Sequence, residues 1–298
     1  MCMIDGVIIK GVGGLYSVKT DEGIYSCNAR GIFRKDSQKP MIGDYVRLGE
    51  IVQSEKTAVI DEIYPRKNSL IRPAVANVDR IVLVIATTAP TPDLLLTDKL
   101  LISANAKDIP VVLVINKSDQ DNAIAEKIFK VYSVCTEKCI ITSATENTGV
   151  DELLETIGEG ISVFCGQSGA GKTTLSGVIL GDSELKTGTL SKKTERGRHT
   201  TRHSEIFSVP GFDNSYIIDS PGFSLFDLTD IESSELHTFY PEFAKSEKTC
   251  RFMDCSHTGE PDCIANTLLE TGLFDRKRYE RYVYLYKELK EKEKNKYK

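Results

Sequence analysis

The sequence predicts a multidomain protein. An N-terminal β-barrel is followed by a central α/β domain on a parallel sheet, then by a mostly helical C-terminal domain around a cysteine–histidine cluster. Three observations carry this. Up to about residue 70, short runs alternate apolar and polar residues between Gly and Asp punctuation. From Ile81 the runs become apolar on both faces and are separated by amphipathic stretches, the signature of parallel strands covered by helices. Past residue 230 such runs stop, and three cysteines gather around His257. We therefore place the domains at 1–70, 71–230 and 231–298.

In the first region GVIIKG, GLYSVKT, GIYSCNARG, GDYVRLG and TAVIDEIYP read as five short strands. Their number and spacing suit a barrel of the OB type, and an SH3-like barrel would give the same pattern. Tyr64 to Asp79, with two prolines, reads as a linker. Beyond it IVLVIATT, VVLVINK, CIITSA, ISVFCG and YIIDSPG are the expected strands, and DLLLTDKLLISANAK, AIAEKIFKVYS, VDELLETI and KTTLSGVIL the helices. The third region opens on an acidic stretch expected to be helical, DIESSELHTFYPEF, and ends in a Lys/Glu-rich helix from Arg276 with tyrosines at helical spacing. That last helix is read as a solvated face or as an RNA contact.

Composition excludes several classes. The longest apolar runs are strand length, far too short to span a bilayer, so no membrane association is expected. The N-terminus has neither a basic nor a long apolar segment, so a cytoplasmic protein is expected. In that setting eight cysteines read as thiols or metal ligands rather than disulfides. A net charge of −5 argues against a generic polyanion binder, although Lys186 to His203 and the tail from Arg276 are locally basic.

The segment GQSGAGKT matches G-x-x-x-x-G-K-[ST] and lies between an expected strand and an expected helix. Gly166, Gly169 and Gly171 let the backbone curl so that its N–H groups point at phosphate oxygens. Gln167, Ser168 and Ala170 complete the loop, and Thr174 follows it. Lys172 would bridge the β- and γ-phosphates and Thr173 would place its hydroxyl on Mg²⁺. Asp219, at the end of SYIID, suits the carboxylate on the Mg²⁺ side, and Gly222 of DSPG would offer its N–H to the γ-phosphate. Phe223 follows, where many signalling GTPases carry the Gln that orients water. Between these motifs lies ERGRHTTRH. Thr200 and Thr201 are both available to complete the Mg²⁺ shell, and the residues alone do not choose between them. His199 beside them could orient a water or be a surface residue of a basic loop.

The base is read from VINKSD. Asn116, Lys117 and Asp119 follow a buried strand. The Asp119 carboxylate can accept from N1–H and the N2 amine of guanine, a donor pair that adenine lacks. Asn116 can face the acceptor side of the base and brace the loop, and Lys117 can lay its stem on the base plane. Ser143 and Ala144, at the end of CIITSA, match the loop whose backbone N–H meets the guanine carbonyl. In an ordinary GTPase these two motifs follow the phosphate loop. Here they precede it, NKSD by roughly fifty residues. The order is a rotation of the usual one, so the central domain reads as a circularly permuted P-loop GTPase domain. Such a rotation preserves the site when all motifs share one sheet edge and the old termini lie close. The cut leads DSPG straight into the C-terminal region, which we expect to receive the nucleotide signal.

Cys250, Cys255, His257 and Cys263 give C-x4-C-x-H-x5-C, a donor set for one tetrahedral, structural Zn²⁺. Free cysteines beside a surface histidine are the bland alternative. Cys2, Cys27, Cys135, Cys139 and Cys165 are scattered and read as small core residues.

Together the three regions resemble the ribosome small subunit-dependent GTPase A family over essentially the whole chain. NKSD, TSA, GQSGAGKT, GRHTT, DSPGF and the cysteine–histidine pattern carry the resemblance. It implies a cytoplasmic GTPase that binds GTP and GDP, the small (30S) ribosomal subunit and its 16S rRNA, and acts late in maturation of that subunit. Slow hydrolysis stimulated by the subunit is implied too. The resemblance aligns His199 with a proposed catalytic histidine, favours Thr201 as the switch ligand, and marks Phe223 as a hydrophobic substitute for Gln. Related permuted GTPases that use K⁺ carry Asn where Gly169 stands, so K⁺ dependence is not expected. A monomer is the default. The rival readings are a non-enzymatic, GTP-controlled RNA-binding checkpoint and a regulatory GTPase with a protein partner.

Overall fold

The computed structural model describes residues 3–34, 39–71, 73–181, 206–219, 228, 231–246 and 249–296. Its packing divides the chain into two compact units. One comprises Met1–Ile81, Val150–Cys165 and Lys172–Phe223; the other comprises Val82–Gly149, Gly166–Gly171 and Ser224–Lys298.

The first unit contains the barrel. Strands β1 (Ile4–Val12), β2 (Leu15–Thr20), β3 (Gly23–Ala29), β4 (Tyr45–Val52) and β5 (Thr57–Ile63) close in the order β1-β2-β3-β5-β4. The β3–β5 pairing is parallel and closes the Greek key, which selects the OB arrangement of the two barrel types considered. Alternation explains the core: Ile8, Val18, Tyr25, Cys27, Val46, Leu48 and Ile60 point inward and are fully buried.

The expected linker is a packed structure instead. It forms a two-stranded hairpin of β6 (Ser69–Leu70) and β7 (Val75–Ala76), with Leu70, Val75 and Ala76 buried. Buried Asp44 holds it through a two-pronged pair with Arg66, at 2.6 and 2.8 Å. Asn77 accepts from Lys67 N at 3.0 Å and donates to Gly43 O at 2.9 Å. Prolines suggested a tether, but the segment's amides and guanidinium find buried partners that periodicity does not reveal. The rest of this unit is helix α3 (Val150–Ile157), parallel strands β11 (Gly160–Cys165) and β13 (Ser215–Asp219), helix α4 (Lys172–Leu180) and the short antiparallel β12 (Ile206–Ser208). Strand β12 escapes the sequence pattern because three residues carry no period.

The second unit holds most of β8 (Val78–Ala86), then helix α1 (Leu94–Asn105), β9 (Val111–Asn116), helix α2 (Asn122–Tyr132) and β10 (Lys138–Ile141), which pairs parallel with β9. Every residue of β9 is buried, as a strand covered on both faces must be. It also holds α5 (Pro241–Ala244), α6 (Ile264–Glu270) and the 21-residue α7 (Arg276–Lys296). The acidic stretch expected to be one helix is broken: its described residues form a turn at 233–235, a 3-10 turn at Leu236–Phe239 and the start of α5. The tyrosine face of α7 is not simply solvated. Tyr282, Leu285 and Leu289 pack with Leu236, Tyr240, Phe243 and Phe274 in a core that includes Ile102 of α1.

Among the described residues, no helix is long and apolar enough to cross a membrane.

Candidate nucleotide and metal sites

The loop expected to read guanine leaves β9 at Asn116. Lys117 adopts a left-handed backbone, φ +65°, which turns the chain so that Asp119 faces solvent with its carboxylate exposed. Ser143 Oγ donates to Asp119 Oδ1 at 2.6 Å and fixes the direction of that carboxylate. Asn116 is buried and serves as a brace. Its Nδ2 donates to Ala170 O of the phosphate loop at 3.0 Å, and its Oδ1 accepts from Thr142 Oγ1 and Ala144 N, both at 3.2 Å. Of its two expected roles the structure displays the bracing one. Ala144 N–H is likewise spent on Asn116, so a guanine carbonyl arriving there would share or replace that bond.

The phosphate loop runs from β11 into α4 as the sequence requires. Gly166, Gly169 and Gly171 all have positive φ. At Gly171 a Cβ would lie 2.2 Å from Asn116 Nδ2, so the close approach of the two loops depends on that glycine. Gln167 Oε1 accepts from Asp93 N at 3.2 Å.

In the first unit Thr173 Oγ1 donates to Asp219 Oδ2 at 3.1 Å. Adjacent ligands of octahedral Mg²⁺, each at about 2.1 Å, stand about 3 Å apart. The pair is therefore spaced to hold that ion, directly or through water. Burial lowers the Lys172 ammonium from the ordinary lysine value, and the Asp219 carboxylate opposes that shift. A charge so placed gains most when phosphate oxygens reach it. His199, Thr200, Thr201, Gly222 and Phe223 lie outside the described residues.

Cys250, Cys255, His257 and Cys263 come together with their ligand atoms all within 4.8 Å of one another. Cys250 Sγ lies 3.9 Å from Cys263 Sγ, and His257 Nδ1 lies 3.4 and 3.3 Å from the two sulfurs. Tetrahedral Zn²⁺ with bonds of about 2.3 Å to sulfur and 2.0 Å to nitrogen sets its ligands about 3.5–3.8 Å apart, so the residues fit a metal. Burial pushes the Cys263 thiol up to about 12, and a cation among the donors would favour its thiolate. Burial also lowers His257, keeping the neutral imidazole that ligates. The outer shell is in place: the Phe243 ring stacks on His257 at 4.4 Å, and Tyr279 and Tyr282 donate to the carbonyls of His257 and Ser256 at 2.9 and 2.6 Å. Four protein donors leave no position for substrate, so a metal here has a structural role.

A buried charge network, which the motifs did not reveal, joins the C-terminal helices to α1 and α2. Arg278 of α7 is 2 % exposed and lies over the rings of Tyr132 and Tyr240. It donates to Asp98 of α1 and, at 2.6 Å, to Glu242 of α5. Asp98 also accepts from Arg281 at 2.5 Å and Tyr132 OH at 2.8 Å. Lys99 pairs with Glu288 at 2.9 Å on the same helices. A charged residue at a helix position expected to face solvent or core was the only available signal, and it does not name a partner.

The RsgA GTPase family matches residues 63–229 and the RsgA N-terminal domain family matches residues 5–60. The small ribosomal subunit biogenesis GTPase RsgA of Ruminiclostridium cellulolyticum is 44% identical over 96% of this chain and 94% of its own. The protein of the same name from Carboxydothermus hydrogenoformans is 42% identical over 96% and 98%. Among solved structures, YjeQ from Thermotoga maritima is 31% identical with a TM-score of 0.78, covering 97% of this chain and 99% of that one. YloQ, described as a circularly permuted GTPase, is 30% identical with a TM-score of 0.75, covering 98% and 96%.

Proposed function

This chain belongs to the RsgA GTPase family and is a GTPase of ribosome biogenesis, and on that premise we propose how its residues divide the work. The exposed Asp119 carboxylate, held by Ser143, reads the N1–H and N2 amine of guanine. This is the observation that carries the reading, because it makes the base guanine. Asn116 locks the guanine loop to the phosphate loop, Lys117 lines the base, and the loop of Ser143 and Ala144 borders its carbonyl. Gly166, Gln167, Ser168, Gly169, Ala170 and Gly171 wrap the phosphates, Lys172 sets its charge against the β- and γ-oxygens, and Thr173 and Thr174 open the helix behind them. Thr173 and Asp219 hold Mg²⁺ together with Thr201, and Gly222 senses the γ-phosphate. Mg²⁺, when bound, neutralises charge that develops on the phosphate oxygens.

His199 orients the attacking water for in-line displacement, giving GDP and phosphate. The Cys250, Cys255, His257 and Cys263 site holds a structural Zn²⁺. Domain limits of 1–70, 71–230 and 231–298 belong to the same proposal. Partners are the small ribosomal subunit and its 16S rRNA, met by the barrel and the basic segments. The chain acts in the cytoplasm as a monomer, late in maturation of the subunit.

Multiple-turnover phosphate release, with and without small subunits, tests the catalytic assignment. The subunit-stimulated rate should fall at least about tenfold in His199→Ala, in line with loss of a positioned proton-handling group. Normal stimulation of that variant removes His199 from the mechanism. A non-enzymatic checkpoint predicts no turnover gain for wild type. A protein-partner switch predicts stimulation that survives RNase treatment and shows little salt dependence.

A further inference from the structure

We propose that Thr87–Asp93, the segment TTAPTPD between β8 and α1, is a positioning brace for the nucleotide, with Thr87 as its principal positioning residue. The proposal rests on the reading of NKSD as the guanine site.

Lys117 sits at φ +65°, a conformation that a residue with a side chain holds only when its surroundings impose it. Thr87 imposes it. Its backbone N–H donates to Asn116 O at 3.1 Å, and its hydroxyl donates to Lys117 O at 2.7 Å. One residue thus donates to both carbonyls that flank the left-handed turn, the second of which also accepts from Gln120 N at 3.0 Å. Thr87 is 1 % exposed, so its own N–H and hydroxyl are shielded from water and depend on these two bonds. Its β-branched side chain also has few rotamers, which keeps the hydroxyl aimed.

The rest of the segment extends the grip. Lys117 Nζ donates to Ala89 O, which anchors the stem expected to lie on the base. Thr88 Oγ1 donates to Gln120 Oε1 at 2.5 Å, immediately past Asp119. At the other end Asp93 N donates to Gln167 Oε1 of the phosphate loop, and a Cβ at Gly169 would meet Pro90 Cδ at 3.4 Å. Asp93 also caps α1, accepting from Leu96 N at 2.9 Å, so the brace is seated on a helix. Beside the direct bond from Asn116 to Ala170, guanine loop and phosphate loop are therefore tied a second time by a short segment that contains none of the recognised motifs. Its action is on binding, through Lys117 and Asp119, and not on the chemical step.

Thr87→Val is close to isosteric and removes only the hydroxyl, so Lys117 O keeps its bond from Gln120 N at 3.0 Å and loses the one from Thr87. Steady-state hydrolysis of GTP should show KM raised about tenfold, as for loss of one buried hydrogen bond, with kcat within about twofold. The preference for GTP over ITP, which lacks the N2 amine, should fall in parallel. Thr87→Ser keeps the hydroxyl and should restore both. Unchanged KM and base preference in Thr87→Val overturns the proposal. So does a fall in kcat alone, the mark of a merely smaller active fraction, or failure of Ser to rescue. Asp119→Asn separates the two levels, because an amide favours xanthine and should shift preference toward XTP. If that shift occurs while Thr87→Val is silent, the brace is wrong and the guanine site stands. If Asp119→Asn leaves base preference untouched, the guanine site and the brace fall together.

Discussion

Replacing Arg278 with Met should unlock the C-terminal helices from α1. The arginine is buried, as are both carboxylates it serves. After the change Asp98 still has Arg281 and Tyr132. Glu242 is worse off. Its Oε1 keeps only the Cys135 thiol at 3.3 Å, a weak donor, and its Oε2 meets no partner among the described residues. Breaking a buried pair by deleting one partner costs about 3–5 kcal/mol. Met fills much of the lost volume, so nearly all of that cost is electrostatic. Hydrogen exchange of the α7 amides reads it directly, and protection should drop by roughly two to three and a half decades. Adding Glu242→Gln should recover a large part of the loss, because the second change removes the stranded charge. Protection within about threefold of wild type in Arg278→Met, or no recovery in the double variant, would refute the argument.

Other outcomes follow from the same structure. Gly171→Ala places a Cβ against Asn116 Nδ2 at a backbone of φ +96°, and should abolish nucleotide binding in a fluorescent-GDP titration while the barrel remains folded. Removing the metal with a strong chelator should release one Zn²⁺ per chain. It should also change the tyrosine emission, since the chain has no Trp and Tyr279 and Tyr282 bond the ligand loop; retention of both signals would argue against a structural metal. Lys172 is lowered by burial, so the unfolded chain binds more protons between the lowered value and the ordinary lysine value near about 10.4. Stability of the nucleotide-free protein should therefore gain from Lys172 as pH rises through that window. GTP affinity should fall over the same range as the ammonium is lost, and Lys172→Met should flatten both slopes.

Much of this was legible in the sequence because the signals are local. The five barrel strands carry a period of two, and β9 and β11 are apolar on both faces. The phosphate loop needs its glycines at fixed spacing. The four metal donors lie within fourteen residues, so their proximity hardly depends on the rest of the fold. What stayed hidden depends on partners distant in sequence. Asp98 and Arg278 are 180 residues apart, and each looks like an ordinary helix charge until the other is placed. Thr87 looks like the end of a strand, and only the left-handed turn at Lys117 gives its hydroxyl a purpose. Prolines in the segment after the barrel suggested a free linker, whereas Arg66 and Asn77 hold it against Asp44 and Gly43.

The most direct test of the central claim is the rate of phosphate release from GTP by the purified chain, titrated with small ribosomal subunits. A slow basal rate should rise saturably with subunit concentration, with no such rise for ATP. A rate that stays flat across the titration, or that rises equally for ATP, would contradict the claim.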